Sequence, residues 1–140
     1  MREILFRGKR TDNGEWVEGY LHIKYFQELP HDRFVIEYES KNNSTKWQPK
    51  YMVAEIDPET IGEFTGLTDK NGTKIFEGDI VKWNINFAIV WQDCKFVIKK
   101  DINAKLYDYV LSCFDGTEFE VIGNIHDNPE FLKGATDEES

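Results

Sequence analysis

The sequence lacks most of what would announce a mechanism. It has two cysteines, Cys94 and Cys113, and no Cys-x-x-Cys pair. A disulfide framework is therefore not required, and both thiols are expected to be free. No apolar run approaches the roughly 18 residues of a membrane helix, and the opening MREILFRGKR holds no apolar signal core. These two absences predict a cytoplasmic protein with no membrane association. Basic residues are few, 17 against 26 carboxylates, for a formal charge of −9. That sign repels phosphate backbones, so direct nucleic-acid binding is not expected. No GxSxG, HExxH, Walker or GxGxxG pattern occurs, and no catalytic, cofactor or metal residue is assigned.

What the chain does have is aromatic side chains: ten Phe, six Tyr and four Trp in 140 residues. Each buries about 150–250 Å², so a few of them fill a small core. The remainder exceeds what one such core must hold. Tyr20, Tyr25, Tyr51, Tyr107 and Tyr109 add to that surplus, and Trp16, Trp47, Trp83 and Trp91 are the candidate interaction residues, because Trp and Tyr are enriched at protein interfaces.

Strand signals dominate. EWVEGYLHIK alternates, with Val17, Gly19, Leu21 and Ile23 on one face and Trp16, Glu18, Tyr20 and His22 on the other. RFVIEYE, KYMVAEI, DIVKWNIN, FAIVW, KFVIKK and EFEVIGNI are further runs rich in β-branched and aromatic residues. Asp57-Pro58-Glu59 marks one helical turn, and Asn128-Pro129-Glu130 opens a short C-terminal helix. The segment DINAKLYDYVLSC reads as an irregular loop entering a strand.

One sentence is written twice, FRGKRTDNGEWVEGYL from Phe6 and FTGLTDKNGTKIFEGDIV from Phe64. Each copy has a glycine two residues on, Gly8 or Gly66, and Asn-Gly at one offset, Asn13-Gly14 or Asn71-Gly72. Each then has Glu-Gly before a strand, ending in Gly19 or in Gly78-Asp79. Asn-Gly predicts a two-residue type I′ hairpin turn with both residues at positive φ. The second glycine predicts a bulge or a close backbone approach. The glycines of GLTDKNG lack the strand–loop–helix setting of a phosphate loop.

These blocks, with DPETIGEFTGLTDKNGTKIFEGDIV and EVIGNIHDNPEFL following in order, resemble the YopX family of phage and prophage proteins. The resemblance spans Phe6 to Leu132. It implies a bacterial host, a small β-rich fold with SH3-like barrel character and no assigned activity. The fold expected is mainly β, in two hairpin-built halves, 1–60 and 61–132. The second half resembles an SH3-like barrel, and 133–140 is a disordered acidic tail.

Two groups bear on metal. His126, Asp127 and Glu130 lie close in sequence, as do Asp12, Glu15, Glu18 and His22. Asp127 and Glu130 already serve a helix start, and neither group has a characteristic ligand spacing. Cys94 and Cys113 sit among apolar strand residues, where cysteine acts as a small hydrophobe. The expected role is that of a phage or prophage accessory protein acting by protein–protein contact, self-associated as a homo-oligomer. The alternatives are an acidic mimic of nucleic acid that occupies a basic enzyme, and a carboxylate- or metal-dependent hydrolase.

Overall fold

The computed structural model describes residues 4–24, 33–39, 50–100, 109–111 and 114–132. The chain divides into two compact units, one within residues 3–63 and the other within residues 64–140. Both units are mainly β and antiparallel.

The first unit contains β1 (Phe6–Lys9), β2 (Trp16–Lys24), β3 (Arg33–Glu39), β4 (Tyr51–Glu55), a 3-10 turn at Pro58–Thr60 and the start of β5 (Gly62–Thr68). The strands lie in the order β4-β3-β2-β1-β5. The end of β4 turns back onto the end of β1 through an Arg10–Ile56 bridge. There Thr11 N–H donates to Glu55 O at 3.0 Å and Asp57 N–H to Lys9 O at 2.9 Å. The enclosed face buries Ile36, Ala54 and Ile56, with Phe6, Val17, Leu21, Tyr38 and Ile61 around them. The turn is held as its residue types predict. Asp57 Oδ1 accepts from Glu59 N–H at 3.1 Å, and Thr60 Oγ1 donates to Asp57 O at 2.6 Å while accepting from Lys9 N–H at 2.9 Å.

The second unit holds the rest of β5, β6 (Lys74–Phe76), β7 (Asp79–Trp83), β8 (Ile85–Gln92), β9 (Lys95–Lys99), β10 (Tyr109–Val110) and β11 (Glu120–Asn124). Five of these form an antiparallel sheet in the order β10-β9-β8-β7-β11. The two units thus share one connectivity: a four-strand meander, then a return strand that pairs antiparallel with the first. The core gathers Ile75, Val81, Phe87, Ile89, Phe96, Ile98, Leu111 and Phe119. Helix begins at 130–132, where Leu132 N–H donates to Pro129 O at 3.2 Å. The segment expected to enter a strand does so at Tyr109–Val110; residues 101–108, 112–113 and the tail lie outside the described residues.

The Asn-Gly turns differ from the expected type. Gly14 and Gly72 have φ of +73° and +83°, but neither Asn13 nor Asn71 has positive φ. The first loop is closed by Gly14 N–H to Arg10 O at 3.0 Å, and the second by Gly72 N–H to Asp69 O at 3.0 Å. The chain thus takes longer loops in which only the glycine is left-handed, not the two-residue I′ turn. Two positive φ values in succession occur instead at Asp93 and Cys94, +55° and +63°, between the paired Gln92 and Lys95. Cys94 is accordingly in an exposed turn, not among apolar strand residues. A left-handed L-residue costs about 1–2 kcal/mol, so Cys94→Gly is expected to stabilise by about 1 kcal/mol. A denaturation midpoint that does not rise contradicts this.

The other singled-out glycines follow local geometry. Gly66, φ +90°, lies where the β5–β6 register shifts, so it is a bulge. Gly78, φ +92°, donates to Ile89 O at 2.8 Å and accepts from Ile125 N–H at 2.8 Å. Asp79, 1% exposed, accepts from Phe76 N–H at 2.7 Å and fixes that turn. Gly8 and Gly19 are buried in β1 and β2, where an added Cβ would meet the Ile56 side chain and Glu37 O.

Candidate functional site

The three described tryptophans each have a different setting. Trp83 packs into the second core, edge-on to Phe114 at 5.2 Å and to Phe119 at 6.1 Å. Trp16 is half-buried under Arg7 and Lys9, whose cationic groups lie 4.8 and 5.6 Å from its ring. These cation–π contacts engage two of the three basic residues Arg7, Lys9 and Arg10 near the N-terminus. The third, Arg10, makes two bonds to Asp12 at 2.9 and 2.7 Å and one to Tyr38 Oη at 2.9 Å. Trp91 is 47% exposed and stacks edge-on against Phe96 at 4.7 Å. Trp47 lies outside the described residues.

An open aromatic surface occurs instead on the first unit. Register sets Tyr20 opposite Glu37, Glu37 opposite Val53, and Glu39 opposite Tyr51. Paired residues share a sheet face, and the opposite face carries the buried Ile36 and Ala54. Tyr20, Tyr51 and Val53 therefore stand together on the solvent side, 55%, 51% and 51% exposed. Glu37 and Glu39 lie between and beside them. Arg33 pairs with Glu55 at 2.6 Å at one margin, and Lys50 lies over the Tyr51 ring at 5.4 Å at the other.

The acidic groups weighed for metal are dispersed. Asp12 is held by Arg10, and the hydrogen bond from Arg10 keeps its carboxyl below the usual carboxylate range. His22 approaches Glu37 at 3.8 Å. Asn124 Oδ1 accepts from the backbones of His126 and Asp127 at 3.0 and 2.9 Å, forming a turn. Among the described residues, no group of three or more His, Cys, Asp or Glu converges as a metal requires.

Asp69, 3% exposed, holds three backbone donors. Its Oδ1 accepts from Asn71 and Thr73 N–H at 2.8 and 2.9 Å, and its Oδ2 from Val121 N–H at 2.8 Å. Burial pushes the carboxyl up, but the three backbone donors and the nearby Lys70 outweigh it and hold it below its ordinary value. Within GLTDKNG, Asn71 N–H is turned onto this carboxylate, while Asp69, Lys70 and Gly72 N–H donate to the backbone oxygens of Thr73, Phe119 and Asp69. An Asp ahead of Asn-Gly was the local signal for this role; its bond to Val121 has no local signal.

A family model described as YopX protein matches residues 5–133. The chain belongs to the YopX family. The crystal structure of protein EF1440 from Enterococcus faecalis is similar over 94% of this chain and 99% of that one, with 23% identity and a TM-score of 0.54. That likeness extends the YopX-family fold seen here to a solved structure. No curated protein matches the chain. Among the described residues of this YopX chain, no helix is long and apolar enough to cross a membrane.

Proposed function

We propose that this YopX-family chain is a phage or prophage accessory protein that works by protein–protein contact and performs no catalysis. The observation that carries the reading is the face bearing Tyr20 on β2 and Tyr51 and Val53 on β4, each about half exposed, with Glu37 and Glu39 of β3 between the two strands. Isolated surface hydrophobes are ordinary, but three large half-exposed ones interleaved with acids on one sheet face match the mixed aromatic and polar composition of an interaction site. The buried acids support the non-catalytic half of the reading. Asp69 and Asp79 both spend carboxylate oxygens on backbone N–H groups within turns, as structural acids do. Nucleic-acid mimicry draws less support, since Asp12, Glu55 and Glu120 are each paired with a basic side chain.

The test is capture from a lysate of prophage-carrying cells. A Tyr20→Ser/Tyr51→Ser variant alters only exposed side chains, so its denaturation midpoint is expected to stay near that of the wild type. Proteins retained by the wild type should be lost by the variant. An identical catch on both baits overturns the reading.

A further inference from the structure

The same face ends at a strand with an open edge. Ile56 N–H donates to Phe34 O at 2.8 Å, which sets the phase of hydrogen bonding between β3 and β4. In an antiparallel pair that direction alternates residue by residue. Met52 and Ala54 therefore turn their backbone groups toward β3, whereas Tyr51, Val53 and Glu55 turn theirs away. Glu55 O is taken up by Thr11 N–H at 3.0 Å. Tyr51 and Val53 have no such partner among the described residues, and β4 is the last strand of its sheet. The stretch Tyr51-Met52-Val53-Ala54 carries no charge, no proline and no bulge, the devices that ordinarily guard an edge.

We infer that an extended, basic segment of another protein adds to this edge as a further strand of the sheet. The inference rests on the contact reading above and names the partner and the mode. Backbone pairing supplies affinity in such additions, and side chains beside the edge supply selectivity. Here the acids paired with Val53 and Tyr51 on that face are Glu37 and Glu39, one strand in from the edge and within reach of long basic side chains, in a chain of net charge −9. Opposite charge speeds encounter and like charge opposes it. A second copy would bring −9 to −9, so the charge favours a basic partner over self-association.

The test uses the full chain and a fluorescein-labelled heptapeptide of alternating lysine and valine, followed by polarisation. Three comparisons accompany it: the same peptide N-methylated throughout, a glutamate–valine peptide, and the variants Val53→Pro and Glu37→Lys/Glu39→Lys. An edge position tolerates proline, so Val53→Pro removes one outward N–H and little else. The lysine peptide is expected to bind, and Val53→Pro to weaken it about tenfold, the scale of one or two lost hydrogen bonds. The N-methylated peptide should fail despite its unchanged charge, and the charge-reversed variant should prefer the glutamate peptide. Equal binding of the N-methylated peptide overturns strand addition, whatever becomes of the proline variant. A dimer mass in light scattering that Val53→Pro abolishes assigns the edge to a second copy and also overturns it. The two readings fail separately: lysate capture that depends on Tyr20, with no peptide binding, removes the edge mode and leaves the contact face.

Discussion

Replacing Asp69 with alanine is expected to cost about 3–5 kcal/mol of stability at neutral pH, a large share of what a domain this size has. The carboxylate serves two backbone donors of its own turn and one from Val121 on β11, all between 2.8 and 2.9 Å. Alanine leaves all three without an acceptor at a site only 3% exposed. Hydrogen bonds to a charged group contribute about 1.5–3 kcal/mol each, and unsatisfied donors add their desolvation cost. Lys70 N–H to Phe119 O at 3.0 Å ties the same turn to the same segment, so the hairpin and β11 should loosen together. Chemical denaturation measures the loss. An Asp69→Ala midpoint within about 1 kcal/mol of the wild type would show that water replaces the carboxylate at little cost.

The pH dependence of that difference has a definite sign. The folded carboxyl lies below its ordinary value, because the backbone donors outweigh burial. A depressed folded pKa gives stability that is present above the unfolded value, about 3.9 for Asp. It is lost as pH falls through the folded value. The gap between wild type and Asp69→Ala should therefore be widest near neutrality and shrink below about pH 4.

Much of the fold was legible because alternation and β-branched content are local signals. The runs EWVEGYLHIK and KFVIKK became the strands Trp16–Lys24 and Lys95–Lys99, and Asp57-Pro58-Glu59 became a single turn, whereas DIVKWNIN broke at Asn84, φ +65°, and its Ile85-Asn86 joined FAIVW in β8. The repeated sentence located its hairpins but not their place in the topology. Its first copy forms β1 and β2, the opening of a meander, whereas its second forms β5 and β6, ahead of the second meander. Strand order depends on pairs such as Val81 with Val121, which no local pattern encodes. Turn type was missed for a different reason. Asn-Gly marks where positive φ is needed, but loop length decides how many residues adopt it, and an I′-like pair fell instead on Asp93-Cys94. Tryptophan content pointed to interaction, yet Trp83 is core and Trp16 lies under two cations. Strand parity and an open edge, not residue type, left Tyr20 and Tyr51 facing outward.

Gly19→Ala is expected to destabilise by about 3 kcal/mol or more, well beyond the usual cost of overpacking a yielding side chain. Gly19 is paired with Phe6 in β1 and lies one residue before the Tyr20–Glu37 pair with β3. A Cβ there would overlap Glu37 O and sit 2.9 Å from Glu37 C and 3.0 Å from Ile36 Cγ2. The first two are backbone, so relief requires β2 and β3 to move apart, and that breaks the ladder carrying Tyr20 and Val53. Gly72→Ala supplies the contrast. Its φ is +83°, yet an added Cβ meets nothing within 4 Å, so it should lose only the left-handed cost, about 1 kcal/mol. The pair separates two reasons for glycine within one repeated sentence: room between strands at Gly19 and backbone handedness at Gly72. Equal small losses at both sites would mean that β2 and β3 yield to a methyl group, and the close approach would then not explain Gly19.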